Sequence, residues 1–384
     1  MSPGAKMECL ESVYLRYKIS SRKEKTLILD EFCATCGYHR KHAIRLLHNF
    51  KRFTKPKPKR RGVPSIYNKP SIIGPLKRMW LTANLPCSKR LKVIICLWMQ
   101  GYVKEYGALP LDVIKALYNI SPPTIDRILK PLRAKYRLKG RCTTKPGTLL
   151  RKQIPIKTDQ WNEFKPGFIE ADTLAHCGES LAGDFAYTVD AVDIATGWTE
   201  QAASWGKGEI GVLAALKDIE SRIPFPVLGF DSDNGGEFIN YHLMRHFADR
   251  VKPVQFTRSR PYHKDDNAHI EQKNWTHVRQ WFGYYRLNKR RIVNLMNNLY
   301  QAEWRLYHNF FQPSMKLIEK KVIASKTVKR YDKPKTPYER VLESKHVDPS
   351  IKRSLKEQFE TLNPFQLKKG IEARMKRIFD YLNR

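Results

Sequence analysis

At Gly167 the spacing of apolar residues changes. Upstream they recur every three or four positions, the period of an amphipathic helix, whereas from Gly167 onward they alternate as in half-buried strands. Gly167-Phe168-Ile169-Glu170-Ala171-Asp172-Thr173 reads as a first strand, and Phe185 to Trp205 as two strands around the turn Asp193-Ile194-Ala195-Thr196-Gly197. A helix fits Glu209 to Ile219, a strand Pro226 to Phe230, a short helix Asn240 to Phe247, a strand Val254 to Phe256 and a long helix Ala268 to Tyr284. That order predicts an α/β core over residues 161–290, a mixed sheet covered by helices.

Charge divides the chain along the same line. The total is +34, from 71 Lys and Arg against 37 Asp and Glu. Residues 1–160 hold 35 basic and 9 acidic side chains, residues 161–290 hold 15 and 18, and residues 291–384 hold 21 and 10. Basic flanks suit the neutralisation of phosphates, so a polyanion is the expected partner, while the middle keeps carboxylates for another purpose. The N-terminal stretch has no continuous apolar run, and Val93 to Met99 is far below membrane-spanning length, which predicts a soluble intracellular chain. Seven cysteines, an odd number scattered along a long chain, predict reduced thiols. Cys33-x-x-Cys36-x-x-His39-x-x-His42 has zinc-ligand residue types, but its two pairs are nearly contiguous, so a metal-free turn between helices is the expectation.

The basic N-terminal part contains two helical hairpins. Residues 22–48 split around Thr35-Cys36-Gly37, and the second half buries Ala43, Ile44 and Leu47 while offering Tyr38, His39, Arg40, Lys41 and Arg45 to a major groove. This predicts a helix-turn-helix DNA-binding domain over 1–50. A basic Pro-rich linker follows at 51–74, with Lys57, Lys59, Arg60 and Arg61 positioned to track a phosphate backbone. A second helix-turn-helix unit is expected over 75–138, where Ser121-Pro122 starts a helix that turns Thr124, Arg127 and Lys130 outward. Residues 139–160 form a further linker and 291–384 a basic C-terminal region for DNA binding or oligomerisation. The aromatic residues Trp275, Trp281, Phe282, Tyr284, Tyr285, Trp304, Tyr307 and Phe310 recur at helical spacing and are expected to pack.

Three carboxylates stand at distinctive places: Asp172 inside the first strand, Asp233 just after the fourth, and Glu271 on the first turn of the long helix. A carboxylate inside a core strand is costly to desolvate unless a cation compensates it. Oxygen ligands of this kind suit magnesium.

IEADT around Asp172, SDNGGEF around Asp233 and SRPYHKDDNAHIEQKNW around Glu271 resemble the three signature segments of the DDE integrase/transposase family, the retroviral-integrase-like branch of the RNase H-like fold. Sixty residues lie between the two aspartates and thirty-seven between Asp233 and Glu271. The flanking segments also resemble bacterial insertion-sequence transposases. The resemblance implies an RNase H-like five-stranded core in which Asp172, Asp233 and Glu271 hold two magnesium ions, with manganese able to substitute. It implies cleavage of double-stranded DNA at element ends, strand transfer to a target, a dimer or larger synaptic complex, and a place at the bacterial nucleoid. Asp231, Glu170, Asp190, Asn234 and Asn267 are candidates for supporting the ligands, and Arg258, Arg260, His263, Lys273 and Asn274 for contacting DNA or substrate. His176 and Cys177 read as ordinary loop residues. The competing readings are a domesticated DNA-binding regulator without strand transfer and a structure-selective nuclease of the same fold.

Overall fold

The computed structural model describes residues 1–50, 66–136, 164–232, 237–238, 240–258, 270, 273–323 and 326–384. The chain forms two compact units, Met1–Ser65 and Ile66–Arg384.

The first unit consists of three helices, α1 (Pro3–Ile19), α2 (Arg22–Cys36) and α3 (Arg40–His48). Ser21 and Glu24 form a reciprocal capping box at the start of α2, and Gly37, with φ of 65°, closes it by donating its N–H to the Cys33 carbonyl. Leu10, Leu29, Phe32, Cys36, Ala43 and Leu47 form the core. The expected helical hairpin is therefore present. Tyr38, expected to face outward, packs instead against Phe32 and His42, because the turn directs it over the hydrophobic seam. Cys36 turns into the core while His39 is exposed, so the four zinc-type residues point different ways.

In the second unit, α4 (Pro70–Thr82), α5 (Ser88–Tyr106), α6 (Leu111–Asn119) and α7 (Pro122–Arg133) precede a sheet of β1 (Phe168–Ala175), β2 (Ala186–Asp193), β3 (Thr199–Trp205), β4 (Gly229–Ser232) and β5 (Gln255–Arg258). Their order is β3-β2-β1-β4-β5. β2 runs antiparallel to β1 and β3, while β4 is parallel to both β1 and β5. Ile169, Ala171, Val189, Ala191 and Phe230 pack one face of this mixed sheet against α8 (Glu209–Arg222) and α9 (Tyr241–Ala248). β4 begins at Gly229 rather than at Pro226. Leu228 and Gly229 both donate to the Gly167 carbonyl, which draws the chain into the sheet only there. Gly167 itself, at φ of 116°, leaves no room for a side chain: a Cβ would lie 2.5 Å from the Pro226 carbonyl.

The other face is covered by the helical segment Asn274–Arg279, continued through Gln280–Phe282, and by helices Arg291–Leu299 and Arg305–Phe311. Two asparagines on the latter pair seal the β3 edge. Asn297 exchanges hydrogen bonds with Ala203 at 2.6 and 3.1 Å, and Asn309 with Thr199 at 2.8 Å each way. The unpaired outer edge of β3, buried under these helices, is thereby satisfied by side chains that imitate a neighbouring strand. Trp304, Tyr307 and Phe310 are fully buried, as their spacing predicted. Trp275, Tyr284 and Tyr285, by contrast, are exposed: they lie on the outer side of the turns that bury Val278 and Phe282. The Trp98 indole donates to the Phe311 carbonyl and the Tyr307 hydroxyl to that of Thr82, so α4–α5 share one core with the C-terminal helices. A hairpin of β6 (Leu317–Ile323) and β7 (Lys326–Tyr331) and three further helices, Pro337–Glu343, Pro349–Thr361 and Pro364–Leu382, complete the chain. Each of those three starts with proline in its first turn, after a capping Thr336, Asp348 or Asn363.

Candidate active site

Side chains alternate across a strand, so Glu170 and Asp172 of β1 share a face. Cross-strand register sets Asp190 of β2 beside Asp172, Gln201 of β3 beside Asp190, and Asp231 of β4 beside Glu170. The sheet thus gathers four acids on the face under the Asn274–Arg279 helix. Two of them are committed to neighbouring side chains. Asp231 is buried and accepts from the Thr257 hydroxyl at 2.8 Å. Asp190 is wholly buried, which pushes its carboxyl up to about 7 against the opposing pull of Lys273 and a 3.0 Å hydrogen bond from Gln201.

Asp172 is the half-exposed member of the set. Its Oδ1 accepts from the Thr173 amide at 2.7 Å, and its Oδ2 accepts from Asn274 Nδ2 at 2.6 Å. The amide orientation is required chemically, since an amide oxygen turned toward a carboxylate would repel it. Asn274 Oδ1, buried at the same spot, has no hydrogen-bond partner among the described residues. Carboxylate and amide oxygens are hard donors, and this donor set suits a magnesium-type cation.

Asp233, Asn234, Asn267, Glu271, Arg260 and His263 lie outside the described residues, as do Lys57, Lys59, Arg60, Arg61 and the side chain of Arg258. The β1–β4 register ends at the pair Ala171 and Ser232, the residues that precede Asp172 and Asp233 in the sequence. Among the described residues no group of three or more His, Cys, Asp and Glu side chains is arranged to hold a metal. Arg40, Lys41 and Arg45 are exposed on α3, Arg40 in an ion pair with Asp30, and Arg127 and Lys130 are exposed on α7, Arg127 donating to Thr124 at 2.9 Å.

Lys273, expected to contact DNA, is buried instead, its ammonium donating to the Gly197 carbonyl at 3.1 Å. Successive helical residues point about 100° apart, so the turn that aims Asn274 at Asp172 drives Lys273 inward. Burial lowers its ammonium to about 8. Asn274 has a different role from the phosphate contact expected for it; its place three residues after Glu271 in the helix expected from the sequence over Ala268 to Tyr284 is the signal that could have revealed it. Glu237, unremarked in the sequence, accepts from Thr173 on the side of β1 opposite Asp172. His176, expected in a loop, is fully buried at the end of β1's sheet face. Its Nε2 pairs with the Thr188 hydroxyl at 2.8 Å, which in turn meets the Tyr300 hydroxyl at 2.8 Å, and burial lowers the imidazole to about 3. Cys177 is buried beside it.

No family model matches the chain. The uncharacterized protein y4rM of Sinorhizobium fredii (strain NBRC 101917 / NGR234) is 37% identical over 343 residues, which cover 88% of this chain and 96% of that protein. The chain belongs to the y4rM family. Kinship with y4rM assigns no chemistry, since y4rM itself is uncharacterized. Among solved structures, the catalytic core domain of BIV integrase is similar at 16% identity and a TM-score of 0.29, covering 47% of this chain and 96% of that domain. A likeness at that score carries no weight, and the chemistry of this y4rM relative has to be read from its own residues. None of its described helices is long and apolar enough to cross a membrane.

Proposed function

We propose that the chain is a metal-dependent polynucleotidyl transferase of the DDE type, a transposase or integrase that cuts double-stranded DNA at the ends of its own element and joins it to a target. The observation that carries this reading is the position of Asp172: a half-exposed carboxylate midway along the central strand of a β3-β2-β1-β4-β5 sheet, oriented by Asn274 from the helical segment that follows Glu271 in the chain. Asp233 follows β4, which is hydrogen-bonded alongside β1. Asp172, Asp233 and Glu271 are the residues that would hold magnesium or manganese, and the bound metal supplies nucleophile activation and leaving-group stabilisation at phosphorus. The chain's own residues orient and shield: Asn274 sets the Asp172 carboxylate, and buried Asp190 and Asp231 stand behind it. The surplus of basic residues, including exposed Lys41, Arg45, Arg127 and Lys130, supports phosphate binding. Joining two ends calls for a dimer or a larger assembly.

The test uses the full-length protein, magnesium and labelled duplexes taken from the DNA bracketing its gene. Nicking at an element end and transfer to a second duplex are expected, and Asp172→Ala and Asp233→Ala should each abolish both while leaving salt-sensitive duplex binding intact. Full cleavage by Asp172→Ala would sink the assignment. Wild-type binding with no cleavage in magnesium or manganese would favour a DNA-binding regulator.

A further inference from the structure

Away from Asp172, the helical segment Asn274–Arg279 borders a small cavity. The loop between α4 and α5 and the residues after the Arg305–Phe311 helix close the other sides. The volume open to the centres of water molecules is about 40 Å³. That is room for about three waters, or for one tetrahedral oxyanion of similar bulk.

The lining is rich in donors and has no carboxylate. Arg90, Lys273, His277, His308 and Gln312 are among its polar groups, with the neutral side chains of Asn84, Thr276, Gln280 and Ser314, and Trp281 forms part of the wall. Lys273, His277 and His308 are 7%, 6% and 3% exposed, so three titratable side chains are more than nine-tenths buried around one void. The His277 and His308 rings stack with centroids 4.0 Å apart. His277 Nδ1 meets the Thr276 hydroxyl at 2.9 Å, but His277 Nε2 and both ring nitrogens of His308 have no hydrogen-bond partner among the described residues. Orphaned polar atoms at such burial are costly and rarely left so. A cation is disfavoured by Lys273 and Arg90. Asp190 offsets the Lys273 charge from the sheet side, but no carboxylate lines the cavity to offset Arg90, and water satisfies donors without supplying that charge. An anion with several acceptor oxygens does both.

We propose that this cavity is a binding site for a phosphate-class oxyanion, held by Arg90 and Lys273 and by donor atoms of His277, His308 and Gln312. Free inorganic phosphate and a phosphate of the DNA backbone present the same chemistry. The site is independent of the proposed strand transfer, since its first test contains neither DNA nor metal.

Full-length protein in buffer without phosphate or sulfate is titrated with inorganic phosphate at constant ionic strength, following tryptophan fluorescence and thermal unfolding. A saturable fluorescence change and a rising midpoint are expected, with sodium chloride at matched ionic strength producing neither. Arg90→Met should weaken the apparent affinity about tenfold, the loss of one charge-assisted hydrogen bond, and Arg90→Lys should recover part of it. Arg90 is half-exposed, so these variants keep the core. Repeating the titration with short duplex DNA separates the sources: competition assigns the site to a backbone phosphate, and additive binding to the free anion. A response equal to that of chloride, as for a cavity holding only water, overturns the proposal, and so does an Arg90→Met protein that titrates like the wild type.

Discussion

Replacing Asn274 tests how the candidate site is built. Its 2.6 Å hydrogen bond to Asp172 Oδ2 joins a neutral donor to a carboxylate, a contact worth about 1.5–3 kcal/mol. Asn274→Ala removes it and leaves the half-exposed Asp172 carboxylate oriented by the Thr173 amide without the helix's donor, so the loss should fall on activity more than on folding. Partners that orient metal-binding side chains typically contribute about 10- to 100-fold in metal affinity or rate. Asn274→Asp is the sharper perturbation. It keeps the shape but sets a second carboxylate against the first, a repulsion of about 4 kcal/mol for charges 4 Å apart at an effective dielectric constant near 20, and less where water penetrates. The assay is single-turnover nicking of a labelled duplex across a magnesium series, with thermal unfolding alongside. Asn274→Ala should shift the half-saturating magnesium concentration upward at least tenfold with a nearly unchanged melting temperature. Asn274→Asp should lose activity at low magnesium and regain part of it at high concentration, where the cation screens the pair. If both variants keep the wild-type magnesium dependence, Asn274 does not position Asp172 and the reasoning fails.

Two further outcomes rest on the folded state alone. Burial holds the His176 imidazole at about 3, below its ordinary 6.5, so its contribution to stability is present above 6.5 and is lost as pH falls from there toward 3. Between pH 6.5 and 5 the loss is about 2 kcal/mol, and His176→Gln, which cannot titrate, should show a flatter melting-temperature profile over that window; an identical slope would remove His176 as the cause. Asn309→Ala strips the Thr199 amide and carbonyl of their partners at a buried strand edge, and urea unfolding should report a loss of about 2–3 kcal/mol. A loss below about 0.5 kcal/mol would mean that water replaces the asparagine.

Much of this fold is written locally. The alternation from Gly167, the turn at Asp193–Gly197 and the order of strands and helices through residue 258 all follow from side-chain period and turn chemistry, which neighbouring residues impose on one another. So does the placement of Asp172 inside a strand, because a carboxylate interrupting an apolar alternation stands out without any knowledge of its neighbours. What the sequence could not reveal depends on contacts between distant segments. Lys273 and Asn274 are adjacent polar residues on one helix, and only the packing of that helix on the sheet turns one toward Asp172 and the other into a cavity shared with His308. His176 looks like a loop residue until Thr188 and Tyr300 close over it. The asparagines at 297 and 309 look like surface residues of a helix until β3 lies beside them. The physical reason is the same in each case: period determines which side chains share a face, but burial and charge environment depend on what covers that face, and the covering residues here lie from 12 to about 110 positions away.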